Sequence, residues 1–128
     1  MSSAAFACAT EPTATVIRSW GTPVASFQNT KFELAAVAAE IEAAQTMLER
    51  AVRELVDGEL SGADAAKVKL FRTEMQARAV DRCLQLFGGY GYILEYPIAR
   101  LYADARITRI HAGASEVMKV IIAKSLGL

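Results

Sequence analysis

The feature that most constrains this chain is one helical stripe about eight turns long. From Phe32 onward, apolar residues fall at Leu34, Val37, Ala38, Ile41, Leu48, Ala51, Val52 and Leu55. These are helical spacings, and Lys31, Glu33, Glu40, Glu42, Glu49, Arg50 and Arg53 flank them. Asn29 or Ser26 is the expected cap at the start. Asp57-Gly58 ends the helix, because glycine takes the left-handed conformation at low cost. The reading is a helix over Gln28–Asp57. A helix of that length belongs in a bundle, where neighbours cover its stripe.

Ser61 suits the N-cap of a second helix, with Asp64 three residues on. Its stripe is Ala65, Val68, Phe71, Met75, Ala79, Cys83 and Leu86, and it ends at Gly88-Gly89. The short link between the two helices implies an antiparallel hairpin. After Gly88–Tyr96, Pro97 suits the first turn of a third helix, Ile98 to about Arg109. Gly113 interrupts, and a last helix over about Ala114–Ser125 is expected to carry Val117, Val120, Ile121 and Leu126 inward. No convincing strand alternation or internal repeat occurs. The expected fold class is all-α, an up-down four-helix bundle over residues 18–128. Residues 1–17, rich in Ala, Ser and Thr at the start, read as a disordered or weakly ordered leader, or as the mark of a chain that begins inside a larger ancestor.

Composition excludes several function classes. The 128 residues are 53% hydrophobic and carry no net charge, which argues against a nucleic-acid binder. No run approaches the ~20 apolar residues of a membrane span, and the start has no signal-peptide pattern. Cys8 and Cys83 lack metal or CxxC spacing and read as two reduced thiols, so no metal is expected and the location is cytoplasmic.

Three constellations could carry chemistry. Gln85-Leu86-Phe87-Gly88-Gly89-Tyr90-Gly91-Tyr92 places three glycines within four residues, so backbone can approach a ligand closely. A helix cap followed by an irregular turn explains the same residues, and the two readings stay open. Tyr102–Ile107 leads into His111-Ala112-Gly113-Ala114-Ser115-Glu116. There Asp104 and Arg106 read as structural ion-pair partners of other residues. His111 reads as a packing or surface residue, and Glu116 as a carboxylate favourable to the last helix's dipole. Trp20 and Phe27 bracket a tight turn and read first as a hydrophobic staple, secondly as an aromatic platform for a planar cofactor.

Taken in order, Trp20-Gly21 through Phe32, Leu84–Tyr92, Glu95-Tyr96-Pro97, Asp104–Ile107 and Gly113–Glu116 resemble the C-terminal helical domain of acyl-CoA dehydrogenases. The resemblance implies a FAD enzyme family that removes two hydrogens from the α and β carbons of acyl-CoA thioesters, with FAD at a subunit interface. It implies FAD contacts at Gln28, Gln85, Gly88 and Gly89, made to an adjoining subunit. It also places Glu116 near the flavin and Gly113 in the turn beside the substrate thioester. Ala112 occupies the usual position of the catalytic base, and a methyl group takes no proton. Isovaleryl-CoA dehydrogenase-like branches share a small residue there. Ala114 replaces a usual threonine, and Ile17 stands where an arginine for the FAD pyrophosphate is usual. The family's N-terminal and middle β-domains have no counterpart in the chain. The expectation is a truncated acyl-CoA dehydrogenase, inactive alone, in a homo-oligomer or with a full-length dehydrogenase. The alternatives are a non-catalytic partner subunit that completes another chain's FAD site and a decayed gene fragment.

Overall fold

The computed structural model describes residues 17–128, and the leader expected over 1–17 lies outside them except for Ile17. A two-stranded antiparallel ladder comes first, β1 (Arg18–Ser19) and β2 (Thr22–Pro23), with Arg18 opposite Pro23. A short 3-10 turn, Val24–Ser26, leads into four helices: α1 (Gln28–Val56), α2 (Gly62–Phe87), α3 (Pro97–Thr108) and α4 (Ser115–Ser125). A second 3-10 turn, Gly88–Tyr92, joins α2 towards α3. The described chain is therefore all-α apart from four strand residues, with the expected two long helices, glycine-rich loop and two shorter helices.

Local chemistry explains most boundaries. The Asp64 amide donates to Ser61 Oγ at 3.0 Å, and Ser61 Oγ donates back to Asp64 Oδ2 at 2.6 Å, so one reciprocal cap starts α2. Pro97 opens α3. Gly58 at φ +76° stops α1. The start of α1 departs from expectation. Phe27 is its N-cap and makes no side-chain cap, while Ser26 Oγ donates to the Pro23 carbonyl instead. Gln28 and Asn29 of the first turn are exposed, so water serves the free N–H groups that a cap would otherwise take.

Helix α2 is the hub. It packs against α1, α3 and α4, whereas those three make few contacts with one another. Two clusters form the core. Val37, Ile41 and Ala44 of α1 meet Met75 and Ala79 of α2, and Val80, Cys83 and Phe87 of α2 meet Ile98 and Ala105 of α3. The first cluster runs out before α1 does. Val52, Leu55 and Val56 remain exposed, and a groove of about 370 Å³ opens between α1 and α2 over Leu48, Val52, Leu55 and Leu60.

Helix α4 is rotated from its expected phase. Ser115 and Met118 are buried, while Val117, Val120, Ile121 and Leu126 are exposed. Apolar residues occupy both faces of this helix, so periodicity alone does not choose between them. The Ser115 hydroxyl, bonded to Glu74 of α2, sets the face that turns inward.

Candidate functional site

The glycine end is built by the termination of α2. Gly88 takes φ +55° and ψ −135°, which a side chain would disfavour, and its N–H donates to the Gln85 carbonyl. This turns the chain off the helix axis and leaves Gln85, Gly88 and Gly89 exposed. Gly91 is different. It is buried, and a Cβ there would lie 2.8 Å from the Leu84 carbonyl oxygen. Gly91 is thus a packing glycine, whereas a Cβ on Gly89 would meet nothing among the described residues within 4 Å.

The hairpin faces this end. Val24 N–H donates to the Ile17 carbonyl at 2.9 Å, and Arg18 Nη1 donates to the Gly21 carbonyl at 3.2 Å, bracing a two-residue turn at Trp20-Gly21. Strand alternation sends Ile17 against the Phe87 cluster and Arg18 outward. Between hairpin and glycine turn lies a hollow of about 430 Å³, lined among others by Arg18, Phe27, Gln85, Gly88, Gly89 and Tyr90. Gln28 is exposed and follows Phe27 directly. The expected staple is absent. Trp20 is 99% exposed and holds φ +54°, so it packs on nothing among the described residues.

The second candidate element is the turn between α3 and α4. Ala112 (φ +54°) and Gly113 (φ +99°) are successive left-handed residues. For alanine this costs about 1–2 kcal/mol. Lys69 Nζ of α2 donates to the Gly113 carbonyl. Glu74 Oε1 accepts from Ser115 Oγ at 2.6 Å and from Arg109 Nε at 3.0 Å, and its Oε2 lies 3.0 Å from Arg109 Nη2. Ser115, then Arg109, hold the Glu74 carboxyl below the ordinary range for glutamate, against an opposing effect of burial.

That depression fixes a pH dependence. A carboxylate with a lowered folded pKa adds stability that is complete above its ordinary value of 4.5 and disappears as pH falls through the lower folded value. Asp64, held low by Ser61 and then Lys67, acts in the same sense. Acid titration of the parent and of Glu74→Gln, followed by circular dichroism, separates the two. The parent loses stability faster on acidification below about pH 5, and the variant lacks the Glu74 share of that slope. Identical slopes would remove Glu74 from the acid response.

The structure therefore gathers Gln85, Gly88 and Gly89 at one end of α2 and holds Gly113 and Glu116 elsewhere. Lys69, which grips Gly113, and Gln85 are sixteen residues apart, about 24 Å along the helix axis. The two sets do not share one small pocket. Glu116 is exposed in the first turn of α4, and His111 and Ala112 are exposed. Asp104 and Arg106 are exposed and form no ion pair among the described residues, contrary to the structural pairing expected of them. Arg106 lines a hollow shared with Glu74, Arg78 and Asp81 of α2, but the Glu74 carboxylate there is already taken by Arg109. Sequence reasoning missed Lys69, Glu74 and Arg109, because charged residues beside an apolar stripe look like a solvated face. No cluster of metal-ligating side chains occurs among the described residues, nor any helix long and apolar enough to cross a membrane.

Comparison with known proteins gives this geometry its context. The family model described as "Acyl-CoA dehydrogenase, C-terminal domain" matches residues 6–127. A 3-(aryl)acrylate reductase of Clostridium sporogenes is 38% identical over 104 residues, covering 81% of this chain and 28% of that protein. A short-chain specific acyl-CoA dehydrogenase of Megasphaera elsdenii is 36% identical over 107 residues, covering 84% of this chain and 28% of its own length. Among solved structures, an acyl-CoA dehydrogenase from Geobacillus kaustophilus superposes with a TM-score of 0.91 at 35% identity, over 99% of this chain and 33% of that one. The chain thus spans about a third or less of the relatives it matches.

Proposed function

The chain belongs to the acyl-CoA dehydrogenase family through its C-terminal helical domain, and on that premise we propose that it supplies the helical side of a FAD-dependent centre acting on acyl-CoA thioesters. The observation that carries the reading is the hollow at the end of α2. Its lining offers a guanidinium (Arg18), a carboxamide (Gln85) and glycine backbone, with the aromatic rings of Phe27 and Tyr90 alongside. That donor set suits phosphates and the polar edge of a planar ring system. Gly89 adds open space that the chain's own packing does not require. The residues present therefore fit one edge of a FAD site, and Gln28, Gln85, Gly88 and Gly89 are assigned to it.

The Gly113 turn belongs to a different part of such a centre. At about 24 Å along α2 it serves the reacting end, with Gly113 beside the thioester and Glu116 near the flavin. In such a centre FAD supplies the hydride acceptor. This chain's own share is to hold and orient, since Ala112 offers no group to take the α-proton. The base and most of the flavin cradle come from the domains that make up the rest of the relatives. Whether those domains lie in the same polypeptide or in a companion subunit changes the connection and leaves these contacts as they are. The exposed apolar side chains of α4 (Val117, Val120 and Ile121) support an oligomeric assembly.

The test uses the 128-residue polypeptide. Incubated with FAD, octanoyl-CoA or isovaleryl-CoA and an electron acceptor, it is expected to give no sustained acceptor reduction. FAD should nevertheless quench Trp20, the sole tryptophan, in a weak but saturable way, beyond the loss shown by free tryptophan amide. Sustained turnover would sink the division of labour. Quenching no greater than that of the free amide would sink the flavin edge.

A further inference from the structure

The Arg109–Ser115 turn carries more restraint than a connector between two helices needs. His111 N–H donates to the Ile107 carbonyl at 2.9 Å, and Ser115 N–H donates to the Arg109 carbonyl at 3.1 Å. These bonds close the two ends of the turn. They leave the Gly113 carbonyl, in the middle, without a backbone partner among the described residues. Ala112 is strained, yet its methyl is exposed, so its own packing does not offset the strain. Non-glycine residues keep such conformations only where the surroundings over-determine them.

The surroundings here are two side chains of α2. Lys69 reaches the Gly113 carbonyl, and an ammonium donor on a carbonyl makes a stronger bond than a neutral one. Glu74 takes both flanks, Arg109 on one side and Ser115 on the other. Below the turn, Met118 Cε lies 2.5 Å from the place a Gly113 Cβ would occupy, so the peptide has no room to sink. Lys69 and Glu74 sit in the middle stretch of α2, which packs on α1, α3 and α4, and both direct their charge to this one turn.

We infer that Lys69 and Glu74 are positioning residues, which fix the Gly113–Ala114 peptide and the turn around it from α2 in the orientation it presents to an acyl thioester and flavin. The inference rests on the proposed place of the Gly113 turn beside the thioester, so its test begins with a readout that needs neither ligand.

Amide hydrogen exchange and carbonyl carbon shifts are measured by NMR on the 128-residue chain. In Lys69→Met, the His111 and Ser115 amides are expected to exchange at least tenfold faster. The Gly113 carbonyl carbon moves upfield as it loses its donor, while amides of the α1–α2 contact stay within twofold of the parent. Lys69→Arg, which keeps a cationic donor, restores at least half of the protection. Glu74→Gln, which keeps an acceptor for Ser115, loosens Ser115 less than Glu74→Ala does. Exchange at His111 and Ser115 within twofold of the parent in both Lys69→Met and Glu74→Ala overturns the inference. So does loosening that spreads equally through α1, which would mark a general loss of stability. If the turn loosens as expected but Lys69→Met leaves KM and kcat unchanged once the chain is assembled with its catalytic domains, the positioning of the turn stands and its placement beside the thioester fails.

Discussion

Phe87→Ala is expected to lower the stability of the chain by about 3–5 kcal/mol, the range for deleting a large buried aromatic. Phe87 is 7% exposed and closes the cluster of Val80, Cys83, Ile98 and Ala105. Its ring meets Tyr96 edge-on, with centroids 6.3 Å apart and planes at 75°. Such a pair adds about 0.5–1.5 kcal/mol beyond area burial. A domain of this kind has about 5–15 kcal/mol in all, so the loss is a large fraction of the total. It is also local in its consequences. Tyr96 in turn meets Tyr90, with centroids 5.4 Å apart and planes tilted at 52°, so the ring of Phe87 indirectly fixes the glycine turn as well as the first turn of α3. Amides of α3 and of Gly88–Tyr92 should lose exchange protection before those of α1. Denaturant unfolding measures the total and hydrogen exchange its distribution. A loss under about 1 kcal/mol, or one shared evenly along the chain, would mean that the second cluster does not hold the glycine end in place.

The readable parts of this fold are those set within a few residues. Ser61 and Asp64 cap α2 as their spacing predicts, and Gly58 and Gly88 stop their helices as glycines do. Pro97 opens α3. These features depend on backbone geometry close by, which the sequence displays directly. The misread parts depend on distant partners. The phase of α4 is fixed by a bond between Ser115 and a carboxylate 41 residues earlier. Lys69 acts 44 residues away, on a backbone atom whose position no side-chain pattern encodes. Trp20 illustrates the other limit. An apolar ring before a helix normally implies a staple, but here a two-residue hairpin turn points it into solvent. The glycine cluster was legible as a place, since three glycines in four residues announce a backbone event. Its division into a packing glycine and an open one was not legible, because that depends on where the Leu84 carbonyl lies.

That division supplies a contrast between neighbouring substitutions. Gly91→Ala places a methyl 2.8 Å from the Leu84 carbonyl oxygen, 3.1 Å from Leu84 Cγ and 3.3 Å from Phe87 Cβ. The first of these is helix backbone and does not yield as a flexible side chain would. Overpacking of this kind costs about 1–3 kcal/mol, and α2 is expected to fray at its last turn. Gly89→Ala meets nothing within 4 Å, so stability should change by no more than about 0.5 kcal/mol. The added methyl projects into the space assigned to FAD. The midpoint of Trp20 quenching should rise at least tenfold, equivalent to about 1.4 kcal/mol of binding. Gly91→Ala should weaken quenching only in proportion to the unfolding it causes. Thermal melts and FAD titrations on both variants read the two effects separately. If Gly89→Ala left the quenching midpoint unchanged, the glycine would be an idle part of the turn, and the flavin edge would have to rest on Arg18 and Gln85 alone.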